Sequence, residues 1–267
     1  MWVFALSSLR AGLRSHSFLL LLVLGCLGMG LVLFVGLFSS RHLQTVQLDV
    51  GLSVIRAVSI LMVLFWVQDL LGRDVERKAI LFSLAYPVPR SDLLFGRYLG
   101  VLILAALGIA ALTALLFIAL SIGKQDYVQP WPSNTGLPMV VTLVYFWIEL
   151  ALVAAVATAL AAISTTPFLP FALGGLFAIC AKSIGPILDY VRLSEKSDPL
   201  LYERMHDSLT MIHRFLPDTS RLDFRAAALY NQPLDSVLMF QALLMAVAYI
   251  VILLGLASAY FDRREFA

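Results

Sequence analysis

The run LALVAAVATALAAISTTPFLPFALGGLFAICA, Leu150 to Ala181, holds 32 residues without a charge. A helix crosses a bilayer with about 20 predominantly apolar residues, so this run is too long for one span. Ser164-Thr165-Thr166-Pro167, with Pro170 just beyond, divides it, because proline has no N–H for the helical ladder and its ring clashes with the preceding turn. The stretch therefore reads as two antiparallel neighbours joined by a tight hairpin, about Pro138 to Ile163 and about Pro167 to Leu188. Four more apolar runs flank the pair: about Ser17 to Phe38, Gly51 to Gly72, Tyr98 to Ser121 and Ser236 to Tyr260. In lipid, backbone polar groups must be satisfied within each segment, so six such spans predict an all-α polytopic membrane bundle, a single domain over residues 1–267.

Composition points the same way. The chain is 61% hydrophobic and 13% charged, with a mean hydropathy of +0.91, where an average domain is about 45–50% apolar and about 25% charged. An ordinary water-soluble enzyme, a disordered chain, a disulfide scaffold and a solenoid are excluded together. Nineteen Lys and Arg against seventeen Asp and Glu are too balanced for a nucleic-acid binder, whose basic patch dominates. Cys26 and Cys180 fall in apolar stretches and are expected as small buried hydrophobes, not as a disulfide. The first run exceeds the roughly 7–15 residues of a signal-peptide core, and Gly36 to Ser40 has no small-x-small site, so it is expected to be retained.

An even number of spans puts both termini on one side. Arg10, Arg14, Arg73, Arg77, Lys78, Arg90, Arg97, Arg263 and Arg264 fall on that side, against Arg41, Arg56 and Lys124 in the opposite short loops. By the positive-inside rule both termini are expected in the cytoplasm, in an inner, cytoplasmic membrane. Before the first span, Trp2, Leu6, Leu9 and Leu13 recur at helical spacing, with Arg10 and Arg14 on another face. Residues 1–16 thus read as an interfacial helix, or as a ragged extension of the first span.

Between the fifth and sixth spans, residues 190–233 form the one large segment on the opposite, extracytoplasmic side. Leu201, Met205, Leu209, Ile212 and Leu216 make a helical stripe ending at Pro217, and Ser220 is expected to cap a second short helix, with Asp223 three residues on. The segment carries six acidic and six basic residues, which indicates no strongly charged ligand. His206 and His213 share a face but lack a third ligand at a suitable spacing, so they read as solvated histidines and no metal is expected.

The segment 73–97 is the most informative stretch outside the spans. A dense charge run is followed by the apolar helical run Ala79 to Ala85; Pro87 and Pro89 stop that helix, and Ser91 or Asp92 can cap the next. The result is a short amphipathic helix across the cytoplasmic end of the bundle, suited to docking in a groove on a partner.

These residues carry a resemblance. Glu76-Arg-Lys-Ala-Ile-Leu-Phe-Ser-Leu-Ala-Tyr-Pro-Val-Pro-Arg90, continuing to Leu94-Phe-Gly-Arg97, resembles the Glu-x-Gly-Thr-Ile-x-x-Leu-Leu-Ser-x-Pro-Val-x-Arg stretch of ABC type-2 permeases, with Lys78 and Ala79 in the region where the family often has Gly-Thr. Phe261-Asp-Arg-Arg-Glu-Phe266 is similar to a common ending there. The resemblance implies the transmembrane subunit of an ABC exporter, built from two permease chains, the same or related, and two ATPase subunits. ATP closes the ATPase dimer, the coupling helices move with it, and the bundle alternates its access. The chain contains no Gly-x-x-x-x-Gly-Lys-Ser/Thr loop, so on this reading ATP and magnesium are bound by a partner and the permease itself needs no cofactor and is no enzyme. Arg73, Asp74, Glu76, Arg77 and Lys78 are the candidate docking surface, and Pro87, Pro89 and Arg90 fix its geometry; a positive-inside anchor without a partner is the alternative.

Ionisable groups within spans are costly and usually face a bundle interior or cavity. Asp69, near the cytoplasmic end of the second span, either caps it or meets Arg73. Glu149 is the deepest carboxylate, with Tyr145 one turn before it, and lines a path, binds a proton or serves an internal pair. Lys182 and Asp189 can pair or snorkel. Asp69, Tyr145, Glu149 and Lys182 are thus the candidate translocation path. No Gly-x-Ser-Gly, paired intramembrane aspartates or His-Glu-x-x-His marks an intramembrane enzyme. A non-transporting scaffold or assembly factor for an envelope complex is the alternative function.

Overall fold

The computed structural model describes residues 2–38, 43–72, 90–122, 133–164, 166, 168–194, 211 and 216–263. Their order is α1 (Trp2–Leu13), α2 (His16–Phe38), α3 (Leu43–Val67) continued by a π-helical turn (Gln68–Gly72), α4 (Arg90–Ile122), α5 (Leu137–Ile163), α6 (Phe168–Ser194), a 3-10 turn (Thr219–Leu222), α7 (Arg225–Tyr230) and α8 (Ser236–Arg263). Among the described residues there is no strand, and α2, α3 with its π turn, α4, α5, α6 and α8 are each long and apolar enough to cross a membrane.

The hairpin forms where the sequence breaks. Ser164 ends α5 in extended backbone, its N–H bonded to the Leu160 carbonyl, and its hydroxyl accepts the Thr166 N–H at 3.0 Å. Pro170 then falls in the first turn of α6, where a missing N–H is tolerated. Two helices begin earlier than hydropathy suggests: α3 starts at Leu43 rather than Gly51, and α4 at Arg90 rather than Tyr98. Gln44, Gln47 and Asp49 lower the apolar average of a window without disfavouring helical geometry, so the helix runs through them.

α5 occupies the centre, packed against α3, α4, α6 and α8. Its most apolar stretch is 72% buried, against 22% for α2 and 17% for α8, which makes those two the outer helices. The cause is side-chain size: Ala151, Ala154, Ala155, Ala157, Ala161 and Ala162 are buried along α5 and let neighbouring backbones approach closely. Leu19, Leu27 and Phe34 on α2, and Phe240, Val251 and Leu256 on α8, point outward as a lipid-facing surface. Gly25 of α2 marks a close approach to α4: a Cβ there would stand 2.5 Å from Leu112 Cδ2.

α1 lies against α4 through its small residues Ala5, Ser8 and Gly12, with Arg97 donating to Ser8 Oγ at 3.2 Å. Trp2, Leu6 and Leu13 stay exposed, as do Arg10 and Arg14, which suits a helix lying at an interface. Cys26 and Cys180 correct an expectation: both are free thiols, exposed on helix faces rather than buried. An apolar run in lipid need not face inward, so apolar surroundings in the sequence do not imply burial.

Several expectations lie outside the described residues: the coupling segment 73–89 with Arg73, Asp74, Glu76, Arg77, Lys78, Pro87 and Pro89, the stripe from Leu201 to Ile212, and His206 and His213. Arg90 opens α4.

Candidate translocation site

The charges in the spans converge. Arg56 lies thirteen residues into α3 from Leu43, Glu149 twelve into α5 from Leu137, and Lys182 twelve before the end of α6 at Ser194. At 1.5 Å per residue each is about 18–20 Å from the helix end nearest α7, close to the middle of its helix. Arg56 Nη2 is ion-paired with Glu149 Oε2, and Arg56 Nη1 donates to Asp223 Oδ2 at 2.8 Å. Lys182 Nζ meets the same Asp223 oxygen at 2.6 Å. Arg225 grips Asp223 through Nε at 3.0 Å and Nη2 at 3.1 Å, and reaches Ser53 Oγ at 2.8 Å and Asp49 Oδ1 at 3.4 Å through Nη1. The Arg56 guanidinium also lies 5.0 Å from the Phe146 ring centroid. Three cations thus balance three carboxylates, Glu149 and Asp223 within the bundle and Asp49 at its exposed edge.

Asp223 is the hub, and the local fold explains how a residue beyond the spans reaches this depth. Asp218, not Ser220, caps the 3-10 turn: its carboxylate accepts the Ser220 N–H at 3.0 Å and the Ser220 hydroxyl at 2.6 Å. The turn begins two residues earlier than the cap pattern suggested, so Asp223 ends it and is released to the cations. Gly185 of α6 admits this turn, since a Cβ there would stand 2.8 Å from Asp218 Oδ1. On the other side Leu222 and Phe224 pack with Tyr145, Ala242 and Ala246, the Tyr145 and Phe224 rings 4.5 Å apart. Asn231, in the left-handed conformation at φ 52°, ends α7 and accepts from Asn134 Nδ2 at 2.9 Å. Burial would raise the Asp223 carboxyl, but hydrogen bonds from Arg225 and Lys182 and the charges of Lys182 and Arg56 outweigh it and hold it well below the ordinary carboxylate range. Burial works against the Arg225 cation too, yet its bonds to Asp223 and the nearby carboxylates leave it more firmly protonated than a free arginine.

A cavity of about 820 Å³ opens between α3 and α6 directly beside the cluster. Arg56, Glu149, Lys182 and Arg225 line one end, and Ile60, Leu61, Leu64, Phe171, Leu176 and Ile179 line much of the rest.

Of the four residues singled out as a path, Glu149 and Lys182 come together at this cavity and the other two do not. Tyr145 donates to the Met239 carbonyl at 2.9 Å and seats α8 and the 3-10 turn. Asp69 sits in the π-helical turn at the opposite end, accepting from Ser17 Oγ at 3.0 Å. Lys182 pairs with Asp223 rather than with Asp189, which is exposed. Arg56 is no loop charge: its side chain is only 10% exposed, inside the bundle. Asp49, Ser53, Asp223 and Arg225 were not singled out from the sequence; Arg56 carried the one available signal, a cation inside an apolar run. Among the described residues no cluster of His, Cys, Asp and Glu could hold a metal ion.

No curated protein matches the chain. A family model described as an ABC-2 family transporter protein matches residues 32–201, which includes α3 to α6 and therefore Arg56, Glu149, Lys182 and most of the cavity wall. That match covers more than half of the 267 residues, so the chain belongs to the ABC-2 transporter family and is a multi-pass membrane permease of the ABC type.

Proposed function

We propose that this chain is the transmembrane subunit of an ATP-driven exporter and that its substrate passes along the cavity between α3 and α6. The observation that carries the reading is the coincidence, within the family-matched region, of a ligand-sized cavity with charged groups at mid-helix depth. Such groups are expensive in a span and are kept where they face a cavity or move with a transport cycle. The segment 216–230 closes one end of the bundle by sending Asp223 to cations on α3 and α6; opening that end requires those ion pairs to part. Glu149 and Lys182 belong to the path, while Tyr145 and Asp69 hold helices in place at its two ends.

On this reading the segment 73–97 docks a separate ATPase, through Arg73, Asp74, Glu76, Arg77 and Lys78 on a frame set by Pro87, Pro89 and Arg90. Two ATPase copies and a second permease chain, the same or related, complete the assembly, with a C2 pair as the simplest arrangement. With Arg56 withdrawn from the loops, nine cations stand against Arg41 and Lys124 in the short loops, which favours cytoplasmic termini in an inner membrane. The α7 end is then extracytoplasmic. Purification of the tagged chain from its host in mild detergent tests the reading. Recovery of a Walker-motif ATPase in equal amount, with ATP hydrolysis, supports it; a chain that purifies alone in every detergent favours the non-transporting scaffold.

A further inference from the structure

The cavity has a polar end and an apolar body. Its wall runs from Ser53 to Leu64 along α3 and from Phe171 to Ser183 along α6, about 16–18 Å of helix. One leaflet of a bilayer is about 15 Å of hydrocarbon, so the wall matches the length of an acyl tail. The volume of about 820 Å³ falls within the range of small-ligand sites, about 300–1,000 Å³.

The polar end favours an anion. The charge-balanced cluster presents its two signs unequally: three of the four ionisable residues lining the cavity are Arg56, Lys182 and Arg225, whereas Asp223 and Asp49 stand outside the lining. The Lys182 and Arg225 side chains are 28% and 25% exposed, and Glu149, committed to Arg56, is 3% exposed. Donors also exceed acceptors. Among the described residues Arg56 Nε is buried with no hydrogen-bond partner, and Lys182, with three N–H donors, bonds only to Asp223. A zwitterionic or cationic head would meet the same cations without a net gain.

We propose that this cavity binds an anionic acyl amphiphile, its phosphate head on Lys182 and Arg225 and its tail between α3 and α6; this names the substrate class of the path proposed above and rests on that reading. A phosphate there takes charge-assisted hydrogen bonds from two cations and competes with Asp223 for them. Binding therefore loosens the hold of Lys182 and Arg225 on the 216–230 segment, which couples occupancy to release of the α7 end.

The test uses the full chain, purified with whatever stays bound to it, and three probes: a lysophosphatidic acid, a lysophosphatidylcholine of the same chain length, and inorganic phosphate. The expected result is binding of the anionic lysolipid about tenfold or more tighter than its choline counterpart, with phosphate alone far weaker than either. Lys182→Gln removes the preference, and Ala172→Trp, which fills the apolar body, weakens both lysolipids. Equal affinity for the two lysolipids, phosphate binding as tight as lipid, or a preference that survives Lys182→Gln overturns the proposal. If Lys182→Gln does not fold, as judged by gel filtration, Arg225→Gln serves with the same expected outcome. Failure of the lipid preference in a chain that retains its ATPase removes the ligand class alone; a chain without an ATPase partner removes the permease reading whatever it binds.

Discussion

Replacing Arg56 by methionine removes the cation between two carboxylates and leaves them unequally provided for. Asp223 keeps Lys182 and Arg225, but Glu149, 3% exposed, loses its hydrogen-bond and ion-pair partner. A lone charge at the middle of a span costs about 2.5–3.5 kcal/mol on insertion scales, and breaking a buried pair from one side about 3–5 kcal/mol. An ordinary interhelical hydrogen bond in a membrane protein is worth about 0.6 and at most about 1.7 kcal/mol. Arg56→Met is therefore expected to destabilise the bundle by about 3 kcal/mol. Glu149→Leu costs less, because Arg56 retains Asp223 at 2.8 Å. The double variant recovers most of the loss, since a buried pair replaced by apolar side chains of similar volume is often neutral. The assay is equilibrium unfolding in mixed micelles for the four members of the cycle. A coupling above about 2 kcal/mol identifies a charged pair. Additive effects, each below about 1 kcal/mol, would refute the reasoning and reduce the contact to a neutral hydrogen bond.

Gly185→Leu should expel the 3-10 turn from α6, because even a Cβ falls 2.8 Å from Asp218 Oδ1; the cost is about 1–3 kcal/mol, seen as faster proteolysis within residues 216–230, and unchanged protection would contradict the packing described. Gly25→Leu should separate α2 from α4 at Leu112 with a similar loss, measured as a lowered unfolding midpoint, while the same change at Gly30, which has open space around it, should leave the midpoint near wild type. Asp223 has a depressed pKa, so its stabilisation is full above the ordinary carboxylate value of about 3.9 and is lost only as pH falls through the lower folded value. The stability gap between wild type and Asp223→Asn should accordingly stay constant from pH 7 to about 5 and close only below about 4; closure already near pH 6 would contradict the cluster. Glu76→Lys should leave the bundle folded but reduce recovery of the ATPase in a pull-down, and unchanged recovery counts against that docking surface.

The helices were legible in the sequence where composition alone decides them. The uncharged run broken by Ser164 and Pro167 became α5 and α6, their break placed within a residue although α6 continues six residues past Leu188, and the alanines of α5 foreshadow its place at the centre. Helix ends were less legible: Gln44, Gln47 and Asp49 look like loop residues to a hydropathy window yet continue α3. The site was legible only as separate charges. Arg56 reaches Asp223 across 167 positions and Glu149 across 93, and Lys182 reaches Asp223 across 41. Nothing local in one sequence reports pairings at such separations, which is why Lys182 was matched with the nearer Asp189. Asp223 was hidden further by its surroundings, since Ser220-x-x-Asp223 reads as a helix cap when the capping is done by Asp218.

The most direct test of the central claim is access to the cavity itself. Ala178→Cys, in a background with Cys26 and Cys180 replaced by serine, places one thiol on the cavity wall. Its labelling by a membrane-impermeant maleimide is measured from each side of sealed vesicles containing the chain and its ATPase, without nucleotide and with ATP trapped. Alternating access predicts that the reactive side changes with nucleotide, and that Asp223→Asn, which frees the α7 end, raises labelling from that end without ATP. Labelling that is indifferent to nucleotide in a complex that still hydrolyses ATP would contradict the account.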